Sequence, residues 1–172
     1  MRRDQYLLFR RKFEPANVTL VIVAESPPAS GKYFYNSDGA VSEPLFSALM
    51  QQLGFVAAAK ESGLQEMQRR GWVLVDATYE PVNVQGIDRD GLIIRDYELL
   101  RDDLAAMLQD RSVPVVLMKA NVCRLLEPRL IQDGFNVLNR GRTVYFPSTG
   151  NQKKFQHQFG EIINDASRSK RL

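Results

Sequence analysis

Residues 18–24 read VTLVIVA and run directly into ESPPASGKYFYN at 25–36. The first stretch has no apolar-polar alternation, the pattern of a strand covered on both faces, and such strands belong to parallel sheets. Two further runs have the same character, WVLVDAT at 72–78 and VPVVLMK at 113–119. Between them lie helical patterns. Leu45, Leu49 and Leu53 recur at four-residue spacing over 44–53, and Tyr97, Leu100, Leu104 and Leu108 form one stripe over 96–108. A third helix is expected to begin near Ala120 and to end before Pro128, because proline lacks the helical N–H. TVYFP at 143–147 reads as a fourth short strand, followed by a last helix with Phe155, Phe159, Ile162 and Ile163 on one face. Strand and helix alternate, which predicts an α/β fold: a three-layer α/β/α sandwich around a short, mainly parallel four-stranded sheet.

The chain has 172 residues, 44% hydrophobic and 25% charged, enough for a single domain over 1–172 that buries its own core. No run approaches the roughly 20 apolar residues of a membrane span, and MRRDQYLLFRRKF at the start has no signal-peptide core. The expectation is a cytoplasmic protein without a membrane partner. One cysteine, Cys123, and one histidine, His157, cannot supply a Cys/His zinc cluster, so no structural zinc site is expected. Cys123 reads as buried and inert; His157 reads as a packing or surface residue.

A net charge of +3 means that attraction to nucleic acid must come from local placement. Basic residues gather at Arg2, Arg3, Arg10, Arg11 and Lys12, and again from Arg140 through Lys154 to Arg168, Lys170 and Arg171. Solvated termini account for both groups equally well. The stretch 79–95, with YEPVNVQGIDRDG, reads as an exposed loop.

In an open parallel sheet, ligands bind beyond the carboxyl ends of the strands. Glu25 follows the first strand, two prolines stiffen the turn after Ser26, and Gly31 precedes the aromatic run Tyr33, Phe34 and Tyr35. Asp76 ends the second run, Lys119 the third, and FPSTGNQKKF the fourth. Glu25 serves chemistry, a cap or a salt bridge. The three aromatics stack on a ligand or plug the long loop 26–43 onto the core, at least one of them doing the latter. Asp76 lines a pocket or accepts amides in a turn. Lys153 and Lys154 stand in a helical first turn, where the macrodipole disfavours cations. A phosphate held by Ser148, Thr149 and Asn151 would relieve that conflict; plain capping is the other reading. Lys32 and Lys119 either touch phosphate or are solvated.

Four segments together resemble the uracil-DNA glycosylase superfamily. VIVAESPPASGKYFYN is similar to its Pro-containing first motif, with Glu25 on the Glu position of members that carry Gly-Glu-Ala-Pro and Ser26 on a position that is Asp or Ala elsewhere. WVLVDATYEPVN resembles the strand with the base-reading Asn, Asp76 standing in that place. VVLMKANVCRLL is similar to the third strand and its helix, and YFPSTGNQKKF to the closing loop, with Phe146, Pro147 and Ser148 in the His-Pro-Ser positions. The resemblance spans roughly residues 18–163. It implies a hydrolase that flips a modified or deaminated base out of DNA, single-stranded or lesion-containing, and cleaves its N-glycosidic bond without a cofactor.

On that resemblance Glu25 and Ser26 are the catalytic positions. Tyr33, Phe34, Tyr35, Asp76 and Phe146 bind the base, and Pro147, Ser148, Thr149, Asn151, Lys153 and Lys154 contact phosphate. The transition state is oxocarbenium-like, so a carboxylate is needed; Ser26 has no histidine partner, which leaves Glu25. The family's histidine is Phe146 here. An ionised Asp76 only accepts hydrogen bonds, which suits a base of exocyclic-amine or cationic character better than uracil. Loss of these groups also fits a silent nucleic-acid or nucleotide-binding protein of the same fold, and an unrelated small-molecule enzyme on a similar sheet is a third possibility.

Overall fold

The computed structural model describes residues 1–169; Lys170 and Arg171 of the basic tail lie outside the described residues. The elements are α1 (Arg3–Arg11), β1 (Leu20–Ala24), α2 (Pro44–Leu53), α3 (Lys60–Arg70), β2 (Trp72–Asp76), α4 (Arg89–Arg95), α5 (Tyr97–Met107), β3 (Pro114–Leu117), α6 (Ala120–Gln132), β4 (Asn136–Val137) and α7 (Gln152–Ser169). The sheet order is β2-β1-β3-β4 and every pairing is parallel, with Ala24 opposite Asp76 and Val23 opposite Leu117.

Successive strand side chains point to opposite faces, and each face has its own core. Leu20, Ile22, Leu74 and Val116 pack with α1, α2, α3 and α7. Val21, Val23, Val73, Val75, Val115 and Leu117 pack with α4, α5 and α6. Apolar residues on both faces explain the absence of alternation in the three runs, and the architecture is the expected α/β/α sandwich. No helix among the described residues is long and apolar enough to cross a membrane.

Four local expectations are corrected. The fourth strand is Asn136–Val137, not 143–147. The edge of β3 is already taken: Leu138 N donates to Val115 O at 2.9 Å, and the Asn139 side chain accepts from Leu117 N at 2.7 Å and donates to Leu117 O at 2.9 Å. Segment 143–147 therefore has no regular secondary structure and makes a single backbone bond beyond the strand end, Lys119 N to Val144 O at 2.7 Å. Helix α6 continues through Pro128 to Gln132. The proline forfeits one hydrogen bond, but Leu126 and Leu130 on either side are fully buried, and their packing outweighs the loss.

Part of the 79–95 stretch is helical, since Asp88 caps α4 by accepting from Gly91 N at 2.9 Å. At the N-terminus, Arg10 is not solvated. It is 2% exposed, forks onto both Asp103 oxygens at 2.6 and 2.7 Å, and donates to the Tyr79 hydroxyl at 3.1 Å. Cys123 is buried as expected, and burial pushes its thiol pKa up. His157 is a surface residue beside Glu161.

Asn139 completes the ladder of β3 as a peptide group would. Asn139→Ala leaves the Leu117 N–H without a partner and its C=O with only the weak Cys123 thiol donor at 3.5 Å, an expected loss of about 2 kcal/mol by urea unfolding. A change under about 0.5 kcal/mol would show that the amide is dispensable.

Candidate functional site

A cavity of about 350 Å³ opens at the carboxyl ends of the strands, within the range of small-molecule sites. Glu25, Ser26, Tyr33, Phe34, Asp76 and Phe146 all line it, as do Lys32 and Lys119. The strand ends and the long loop thus bring most of the candidate residues together.

Glu25 leaves the central strand and is 3% exposed. Its Oε2 accepts from Lys119 Nζ, and its Oε1 accepts from Asn121 Nδ2 at 2.7 Å. Asn121 also reaches Asp90 of α4 at 3.5 Å, and Asp90 pairs with Arg124. Two elements, the β3–α6 junction and α4, thereby fix the Glu25 carboxylate. Lys119 is held at φ 80°, ψ 144°, a backbone region that glycine tolerates and residues with a side chain avoid. A lysine is kept there although its backbone is strained, and its ammonium lies on Glu25 and 5.6 Å from the Phe146 ring.

Asp76 lies at the floor of the cavity, 3% exposed, and its Oδ2 has no hydrogen-bond partner among the described residues. Burial raises its pKa to about 7, with Arg10 opposing the shift. The Tyr33 hydroxyl is likewise buried and without a partner, its pKa raised by burial first and by Asp76 second. Both residues line the cavity, and a buried polar atom without a partner on each is what a ligand edge would satisfy. Tyr6 packs edge-on against Tyr33 at 4.7 Å, so α1 backs this floor.

The loop carrying Tyr33 and Phe34 is clamped from behind. Lys60, buried at the start of α3, donates to Tyr33 O at 3.0 Å and to Glu43 Oε2 at 2.6 Å, and lies 6.0 Å from the Phe34 ring and 5.9 Å from the Phe46 ring. Gly39 lies beneath this pair, where a Cβ would crowd the Glu43 carboxylate and the Lys60 ammonium. On the other side of the loop, Ala29 N donates to Asn83 Oδ1 at 3.0 Å, and Ser26 Oγ accepts from Val82 N at 3.4 Å.

Other candidates have different duties. Tyr35 does not line the cavity: its hydroxyl accepts from Leu74 N at 2.7 Å and donates to Leu74 O at 3.0 Å, closing the outer edge of β2. It is the structural member of the aromatic run. Ser26 has only its turn contact and no base to activate it. Pro147, Ser148, Thr149, Asn151, Lys153 and Lys154 lie outside the cavity lining. Asn151 O accepts from Phe155 N at 2.9 Å as α7 begins, and its side-chain amide donates to Ser148 Oγ at 3.3 Å. Lys154 rests 4.7 Å from the Tyr145 ring.

Sequence reasoning missed Asn121, Lys60, Glu43 and Asn83 as site residues. All four act through partners distant in sequence, and no local pattern marks them. Among the described residues no group of three or more His, Cys, Asp or Glu side chains could hold a metal ion. No protein-family model matches this chain, and no curated protein or solved structure does either.

Two outcomes test this geometry. A carboxyl whose pKa rises on folding stabilises the fold most below its unfolded pKa and loses that contribution as pH rises to the folded value. Wild type should therefore lose stability relative to Asp76→Asn from the ordinary value of 3.8 up to about 7, and the difference should stay constant above. Urea unfolding across that range reads it; a gap independent of pH would place Asp76 in a polar, compensated site. Separately, Lys119→Gly and Lys119→Ala both lose the ammonium, but only glycine relaxes at φ 80°. The glycine variant should be the more stable by about 1 kcal/mol, and equal stabilities would argue against strain.

Proposed function

We propose that this chain is a DNA glycosylase-like hydrolase that cleaves the N-glycosidic bond of a modified or deaminated base in DNA. The observation that carries this reading is the pairing of a fixed carboxylate, Glu25, with an aromatic-walled cavity whose floor, Asp76 and Tyr33, has unsatisfied polar atoms. The resemblance of the four strand-end segments to the uracil-DNA glycosylase superfamily supports it further.

A base in the cavity stacks on Phe34 or Phe146 and meets Asp76 and Tyr33 with its edge. Its sugar then lies toward the mouth, near Glu25. As the C1′–N bond lengthens, positive charge develops at C1′, and Glu25 stabilises it or takes a proton from the attacking water. The bonding pair leaves with the base, water supplies hydroxyl to C1′, and an abasic sugar results. Lys119 and Asn121 hold Glu25 in place for this step. Lys32, exposed at the mouth, is available to a backbone phosphate.

One observation favours a silent nucleic-acid or nucleotide-binding protein of the same fold: both Glu25 oxygens are already engaged by Lys119 and Asn121. Single-turnover incubation with oligonucleotides carrying uracil, hypoxanthine, xanthine or an alkylated purine, followed by alkali cleavage, separates the readings. Wild type should generate abasic sites, and Glu25→Gln should lower the rate by about 10² or more. Salt-dependent binding without abasic product on any lesion would instead identify the silent binder.

A further inference from the structure

The acids on the cavity lining differ in how they are compensated. Glu25 is paired with Lys119, and Glu43 with Lys60. Asp76 has no ion pair, and its Oδ2 has no partner among the described residues. Around it stand aromatic groups: Tyr6 from α1, Tyr33 and Tyr35 from the long loop, and Tyr79 beyond β2, with Arg10 of α1 the cation acting on it from behind. Arg10 is itself committed to Asp103 of α5. Of these aromatic groups only Tyr33 also lines the cavity, whose other rings are Phe34, Phe46 and Phe146. An unpaired buried carboxyl beside such rings is a setting that favours a cation with a flat face.

We propose that the cavity selects a cationic heterocycle, a purine carrying a positive charge from ring alkylation, with Asp76 as its counter-ion and Phe34 and Phe146 as its stacking faces. This rests on the reading of the cavity as a base site. The chemistry of departure agrees with it. When the C1′–N bond of a cationic base breaks, the bonding pair returns to the ring nitrogen and cancels the charge. The base therefore leaves neutral, and water delivers hydroxyl to C1′ while its proton passes to Glu25 or solvent. A neutral base would instead leave as an anion and require a cation or proton donor beside it. Of the cations on the lining, Lys119 is committed to Glu25 and Lys32 is exposed to solvent. The closing loop offers the uncharged ring of Phe146, which can stack on the base but cannot protonate it.

Binding of nucleosides tests this without requiring catalysis or DNA. The probes are 1-methyladenosine, which carries its positive charge on the purine ring, and adenosine, compared by isothermal titration. Wild type should bind 1-methyladenosine about tenfold or more tightly than adenosine near pH 8. That preference should shrink as pH falls through about 7 and Asp76 takes up a proton. Asp76→Asn should abolish the preference at all pH values. Phe146→Leu, at a half-buried position, provides a variant independent of Asp76 folding effects and should reduce the preference about threefold.

Equal affinities for the two nucleosides, no binding of either, or a preference that persists in Asp76→Asn would each overturn the proposal. Abasic sites formed at uracil but not at alkylated purines would overturn it while leaving the hydrolase reading intact. Preference for the cation without abasic product on any lesion would support it and remove that reading instead.

Discussion

Strand β1 is covered by helices on both faces and by strands on both edges, so the chain that leaves it can carry polar groups only where partners are waiting. This constraint organises the whole carboxyl end of the sheet. Glu25 is met by Lys119 and Asn121, the Leu117 peptide by Asn139, and the Leu74 peptide by Tyr35. Each of these is a side chain substituting for water or for a missing strand. Against that background the unsatisfied oxygen of Asp76 and hydroxyl of Tyr33 stand out.

The long loop after β1 is irregular in backbone yet held in a defined path. Three ties fix it: the Lys60 ammonium on Tyr33 O and Glu43, the Asn83 side chain on Ala29 N, and the Tyr35 hydroxyl on β2. A buried lysine–glutamate pair adds little net stability after desolvation, but it specifies one geometry and resists alternatives. The Arg10–Asp103 fork does the same for α1, which backs the cavity floor through Tyr6. Position, more than stability, is what these pairs supply.

The layer architecture could be read directly from the chain because uniformly apolar strands have one structural meaning, burial on both faces. The strand-end rule then selected Glu25, Asp76 and Phe146, and aromatic content selected Tyr33 and Phe34. Illegible were the places where one side chain replaces backbone. TVYFP has strand composition, but the β3 edge it would join is occupied by residues 136–139, and the Asn139 amide gives no local sign of that task. Helices α1 and α3 are too polar on their outer faces to stand out. The basic N-terminus concealed a buried arginine whose partner lies 93 residues away. Tyr35 could not be told from Tyr33 and Phe34, since adjacent loop aromatics carry no mark of which will turn inward to a ligand.

The two margins of the sheet also bear on how copies of this chain meet one another. An exposed strand margin is a template on which another chain can add its own strand, the first step toward aggregation. Here one margin, β2, has the Leu74 amide and carbonyl capped by the Tyr35 phenol, and the other, β4, is only two residues long. Neither offers a continuous row of free donors and acceptors. The same tyrosine that occupies a place in the loop therefore guards the sheet against self-templating, a duty of Tyr35 unrelated to any ligand.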